Sequence, residues 1–169
     1  MTSSAHNLLS SYRETLIEHL FVGDLMRVLW RHGPIRAEIM KPQVDDAGYD
    51  LVVECNGVTR HVQIKASFIG STTRSQKVHL HLTKKPSGCV VWILFDPETL
   101  QLGPYLFYGD KPGVALPSLA GFKTARHTKG DAKGVKAERP MIRVVPKGSF
   151  KSIDQIESLV ALLFGIHDL

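Results

Sequence analysis

Residues 44–67 read VDDAGYDLVVECNGVTRHVQIKAS, and the dipeptide Asn56-Gly57 near the middle sets the reading of the whole stretch. Both residues tolerate positive φ, so an Asn-Gly pair between two apolar-rich runs signals a two-residue hairpin turn. Such a turn fixes register. It sets Cys55 opposite Val58, Val53 opposite Arg60, Leu51 opposite Val62 and Asp50 opposite Gln63. Side chains alternate between the faces of a strand. One face of the hairpin then carries Leu51, Val53, Cys55, Val58, Val62 and Ile64, with Arg60 as its only charge, and is expected to be core. The other carries Asp50, Val52, Glu54, Thr59, His61, Gln63 and Lys65, and is expected to expose a polar constellation.

Upstream, residues 8–30 are expected to be helical. Leu9, Leu16, Ile17, Leu20 and Phe21 recur at helical spacing, and Gly33-Pro34 ends the segment. A short strand is expected over 35–40. Downstream, VHLHL at 78–82 alternates like a strand, and CVVWILF at 89–95 reads as a buried central strand. Further strands are expected at 105–108 and 141–145, with a Gly- and Lys-rich loop holding one short helix between them. Ser152 and Gln155 match a capping box for a last helix, with Ile153, Ile156, Val160, Leu163 and Phe164 as its buried stripe and Gly165 as its stop. Helices flanking a mixed central sheet make an α/β (α+β) fold. Trp30 and Trp92 lie in apolar surroundings and are assigned to the core.

The hairpin register brings an acid, an amide and an amine together. Directly opposed Cβ atoms lie roughly 4.5–5.5 Å apart, and Lys65 stands one diagonal step away on the same face. Mg²⁺ takes a few hard oxygen ligands and keeps several waters, so a carboxylate with one or two carbonyl oxygens suffices from the protein. A lysine beside such an ion can orient water and hold a phosphate. The arrangement suits phosphodiester hydrolysis. Without a metal, Asp50 and Lys65 would be a cross-strand ion pair worth less than about 1 kcal/mol.

Asp50, a hairpin, then Gln63-Ile64-Lys65 resembles the D…(E/Q)xK signature of the PD-(D/E)XK nuclease superfamily. The branch most similar contains Mrr-like restriction endonucleases and archaeal Holliday junction resolvases. There a D-x-G-x-D run, here Asp46-Ala47-Gly48-Tyr49-Asp50, precedes the hairpin, and a V-Q-x-K run, here Val62-Gln63-Ile64-Lys65, ends it. The resemblance covers roughly residues 8–95, with a basic loop and a strand-helix extension over about 110–169 of a single domain. It implies a restriction-endonuclease-like core and a Mg²⁺- or Mn²⁺-dependent DNA endonuclease. It implies that Asp50, Gln63 and the Ile64 carbonyl bind the metal, and that Lys65 is the catalytic lysine. A first-helix glutamate assists, Glu18 or, one turn earlier, Glu14. A homodimer is a further implication. Glutamine at 63 departs from the acidic form and removes one negative charge, which lowers metal affinity unless Glu18 or Asp46 compensates. Two other readings stay open: an inactive nucleic-acid-binding module of this fold, and an interaction domain with no nucleic-acid role.

Composition fits a DNA partner. The chain has 169 residues, 21 Lys and Arg against 16 Asp and Glu, and a net charge of +5. Between 123 and 147 eight cations face only Asp131 and Glu138, and clustered cations favour a polyanion through counterion release. Arg126, Lys129, Lys133 and Lys136 are the candidate phosphate contacts, against a solvated basic loop. Ser67 and residues 71–73 are weaker candidates for phosphate, His61 for substrate, and His79 with His81 for a transition metal. Cys55 and Cys89 lack metal or redox spacing and are expected to be buried, reduced thiols. With no apolar run long enough to span a bilayer and no signal-like start, a cytoplasmic protein away from membranes is expected.

Overall fold

The turn forms as the dipeptide dictates, with Asn56 at φ 50° and Gly57 at φ 77°. In the computed structural model, which describes residues 9–33, 35–44, 47–127 and 136–166, this hairpin forms part of a six-stranded mixed sheet. Its strands are β2 (Leu51–Cys55) and β3 (Val58–Phe68), paired from Cys55–Val58 to Leu51–Val62 in the expected register. β1 (Ala37–Met40) adds to β2 as an edge strand. On the other side β3 runs parallel to β5 (Gly88–Phe95), which pairs antiparallel with β6 (Leu102–Gly109). β9 (Lys151–Ile153) closes the order β1-β2-β3-β5-β6-β9.

Both helices cover one face of this sheet. α1 (Ser10–Arg31) buries Ile17, Phe21, Leu25, Val28 and Leu29, a narrower stripe than expected, since Leu9 and Leu20 lie exposed. α2 (Ile156–Phe164) buries Leu159, Val160, Leu163 and Phe164, and Gly165 ends it in the left-handed conformation at φ 69°. These residues join Leu51, Val53, Cys55, Val62, Val91, Ile93 and Phe107 in one apolar cluster. Each such side chain taken from water contributes about 1.5–3 kcal/mol before entropy is counted. β5 is buried at every position but Leu94, as its unbroken apolar run requires.

The opposite face is covered by a second sheet, in which β8 (Glu138–Pro146) lies between β4 (Ser75–His79) and β7 (Lys123–Arg126). Val78, Val145 and Leu82 close over Val90 and Trp92 in a second cluster.

Several expectations are corrected. The strand at 78–82 stops at His79, and Leu80–Lys84 is a 3-10 turn in which the His79 imidazole accepts the His81 amide, so the two histidines do not alternate along a strand. The described part of the basic loop holds strand β7 and no helix. Ser152 lies in β9 opposite Leu106, and the helix starts later, with Gln155 at its N-cap and no side-chain cap. Three residues paired to a sheet edge outweigh a capping motif. Trp30 is 73% exposed rather than core, because it lies off the stripe that α1 turns to the sheet. Trp92 is core as expected, its indole N–H held by Ser67 Oγ at 3.0 Å.

Arg60, the one charge on the core face, is fully buried. Its Nε donates to the Leu163 carbonyl at 2.6 Å, and Nη2 donates to Asp110 at 2.8 Å and Leu162 at 3.2 Å. The guanidinium sits 6.0 Å from the centre of the Phe107 ring. A cation among the last carbonyls of a helix satisfies orphan acceptors and complements the helix dipole. Burial draws the guanidinium below its usual range.

Candidate active site

β3 outlasts its hairpin partner. The β2–β3 register ends at Leu51–Val62, yet β3 continues to Phe68 with only β5 beside it. Asp50 stands at this fork. Its amide donates to the Val62 carbonyl at 2.9 Å, and its Oδ2 accepts the Ile64 amide at 2.6 Å. The carboxylate therefore reaches along β3 to Ile64 instead of standing square across from Gln63. A strand residue projects its amide and carbonyl from the same edge, so the Ile64 carbonyl opens on the Asp50 side of the fork.

The approach to Asp50 is tightly held. Gly48 sits at φ 77°, and a Cβ there would meet His79 Cβ at 2.7 Å, so only glycine lets this loop lie against β4. Tyr49 packs edge-on to His61 with ring centres 4.9 Å apart, and Lys85 Nζ lies 5.2 Å from the centre of its ring. The His61 ring nitrogen Nδ1 is within 2.8 Å of the Pro86 carbonyl, which gives this histidine a packing role beside Tyr49.

A cleft of about 520 Å³ opens at the fork, lined by Glu14 and Glu18 of α1, by Asp50, by Ile64 and Lys65 of β3, and by Gln76 of β4. Asp50, Ile64, Lys65 and the two helix glutamates, foreseen as a group, thus share one cavity. Glu18, its side chain 16% exposed, forms an ion pair with Lys41 just past β1. Lys41 and Gln76 were missed by sequence reasoning. No local pattern marks them: Gln76 lines the cleft from β4, and Lys41 meets it only through its ion pair with Glu18.

Gln63 departs from expectation. Only 7% exposed, it lies under the second sheet and is absent from the cleft lining. The polar face of β3 is closed at Gln63 and Ser67, on the side that the second sheet covers, while Thr59 stays exposed and Lys65 half-buried. Among the described residues the Gln63 Oε1 has no hydrogen-bond partner. A buried carbonyl oxygen without a donor is costly, and it suits a cation or an ordered water. Ser67 on the same face is buried as acceptor for Trp92 and Gln76, not free to meet phosphate.

Among the described residues no three His, Cys, Asp or Glu side chains converge on one point. Asp46 lies outside the described residues. The donors in the cleft that fit a hard divalent cation are therefore the Asp50 carboxylate and the Ile64 carbonyl edge, with Glu14 and Glu18 on the same lining and Gln63 outside it. Cysteine chemistry does not contribute. Both thiols are free and buried, burial pushes Cys89 up to about 12, and burial followed by the charge of Glu54 raises Cys55.

Of the candidate phosphate contacts, Arg126 is exposed on β7 but faces Glu138 at 3.5 Å, and Lys136 is exposed. Lys129 and Lys133 lie outside the described residues. Among the described residues no helix is long and apolar enough to cross a membrane.

No family model and no curated protein matches the chain. Among solved structures it is similar to a bacterial homing endonuclease at 21% identity, over 67% of this chain and 72% of that one, with a TM-score of 0.29.

Proposed function

We propose that the chain is a metal-dependent DNA endonuclease of the PD-(D/E)XK type, with its site at the fork of β2 and β3. The observation that carries this reading is the sharing of one cleft by Asp50, the Ile64 edge, Lys65 and the helix glutamates. Asp50 and the Ile64 carbonyl would hold Mg²⁺ or Mn²⁺, and the buried Oε1 of Gln63, outside the cleft lining but without a donor among the described residues, is the third oxygen assigned to the ion. When bound, such an ion polarises a phosphodiester and lowers the pKa of coordinated water. The chain's own groups do the rest. Lys65 carries an ammonium to the cleft, where it holds the non-bridging oxygens of the scissile phosphate and orients the attacking water. The Ile64 amide fixes the Asp50 carboxylate in one orientation before substrate arrives. Glu18, or Glu14 one turn away, supplies the second carboxylate. Arg126 and Lys136, with Lys129 and Lys133, are assigned to the DNA backbone away from the cut. The protein is assigned to the cytoplasm.

The test is a cleavage panel of duplex, single-stranded and branched DNA with Mg²⁺ or Mn²⁺, run with wild type beside Lys65→Ala. Metal-dependent cutting by wild type, lost in the variant, is the expected result. Cutting that survives in Lys65→Ala, or none by wild type on any form, would overturn the assignment.

A second reading is a DNA-binding module without turnover. The neutral Gln63 and the ion pair of Glu18 with Lys41 favour it, since both reduce the negative charge available to a cation. It predicts salt-sensitive DNA retention with no metal-dependent cleavage.

A further inference from the structure

Far from the fork, the free edge of the main sheet carries a sequence that is self-complementary when paired antiparallel with itself. Residues 35–39 are Ile-Arg-Ala-Glu-Ile, apolar at both ends, oppositely charged at the second and fourth positions, and small at the centre. They lead into and form β1, and among the described residues no strand pairs with its outer side. The two-residue turn makes Cys55–Val58 a hydrogen-bonded pair. By alternation Glu54 and Val52 then turn their amides toward β1, where Glu38 and Met40 are their partners. The backbone groups of Ala37 and Ile39 are therefore left pointing away from the sheet.

Beside this edge α1 leaves a large apolar surface uncovered. Trp30 is 73% exposed and Met26 47%, and both line a groove of about 300 Å³ with Ile35, Arg36, Ala37 and Glu38. Unpaired strand edges are templates for further pairing, and an apolar patch beside one marks an interaction surface. Charge completes the picture. Glu38 stands directly opposite Glu54, whose carboxylate is engaged by the Gly57 amide, so β1 and β2 present two like charges across from each other. Opposed like charges destabilise a strand pair until a cation joins them.

We infer that β1 pairs antiparallel with β1 of a second copy of this chain about a twofold axis through Ala37, joining two main sheets into one. In that register Arg36 of each copy faces Glu38 of the other, bringing a guanidinium to the Glu38–Glu54 pair. Ile35 faces Ile39 on the helix side, and Ala37 faces Ala37, where small side chains allow close approach. A twofold perpendicular to the sheet keeps both α1 helices on the same side, so Trp30 and Met26 of the two copies cover one another. A foreign strand could use the edge, but it would have to match an apolar–basic–small–acidic–apolar order that the chain itself supplies. The surface is separate from the cleft and independent of the nuclease reading.

Sedimentation velocity over a concentration series tests it on the full chain. Wild type is expected to dimerise. Arg36→Glu and Glu38→Arg should each weaken the dimer at least about tenfold, since each sets like charges opposite one another twice across the twofold. Combining the two should restore it, and Trp30→Glu should leave monomer. All three positions carry exposed side chains, so circular dichroism and thermal melting should remain those of wild type. A monomeric wild type, a dimer indifferent to the two charge reversals, or a double variant that stays monomeric would each overturn the inference.

Discussion

The two halves of β3 obey different rules. From Val58 to Val62 the strand has a partner on each side, β2 and β5, and its inward charge, Arg60, donates through Nε and Nη2 to three carbonyls, with Nη1 left without a partner among the described residues. From Gln63 to Phe68 only β5 remains. There an aspartate side chain takes the Ile64 amide that a strand carbonyl would otherwise accept. The first half holds the fold together. The second brings the Asp50 carboxylate and Lys65 to one cleft and leaves the Gln63 Oε1 without a donor among the described residues, and such groups are what a ligand can engage.

That contrast can be broken at either half. The largest effect is expected in the open half: Lys65→Ala should lower cleavage by about a thousandfold, within the range for loss of one positioned proton-transfer or charge-stabilising group, with the melting temperature little changed. Next is the paired half. Arg60→Ala should cost about 3 kcal/mol or more of unfolding free energy in a denaturant titration, because three carbonyls at the end of α2 and β6 lose their buried donor. It should spare metal binding wherever the protein stays folded. Asp50→Asn retains an oxygen for the Ile64 amide, so stability should fall by less than about 1 kcal/mol while Mn²⁺ affinity drops at least tenfold. The smallest change is expected from Gln63→Glu. It should tighten Mn²⁺ binding about tenfold and lower the melting temperature of the metal-free protein, since a buried carboxylate has lost its water without gaining a donor.

The paired half was legible from sequence because its determinants are local. An Asn-Gly turn and strict alternation define which residues oppose which, and the observed register from Cys55–Val58 to Leu51–Val62 follows from them. Asp50 and Lys65 were found by the same alternation. The burial of Gln63 was not legible. It depends on β4 pairing with β8, Ser75 with Pro146 at one end and His79 with Ile142 at the other, across more than sixty residues with no turn signal to announce the contact. Ser152 misled for a related reason. Its capping pattern is local and genuine in kind, but pairing with Leu106 on β6 decides the outcome. Trp30 was assigned by hydrophobicity alone, whereas its exposure depends on which stripe of α1 the sheet accepts. Local chemistry, in short, reaches as far as the hairpin does, and the roof over its polar face belongs to tertiary pairing.

The most direct test of the fork as a metal-dependent site is a Mn²⁺ titration of wild type, Asp50→Asn and Gln63→Glu, followed by calorimetry. One saturable site is expected in wild type, weakened by the first substitution and tightened by the second. Three indistinguishable isotherms, or no saturable binding in wild type and Gln63→Glu alike, would contradict that expectation.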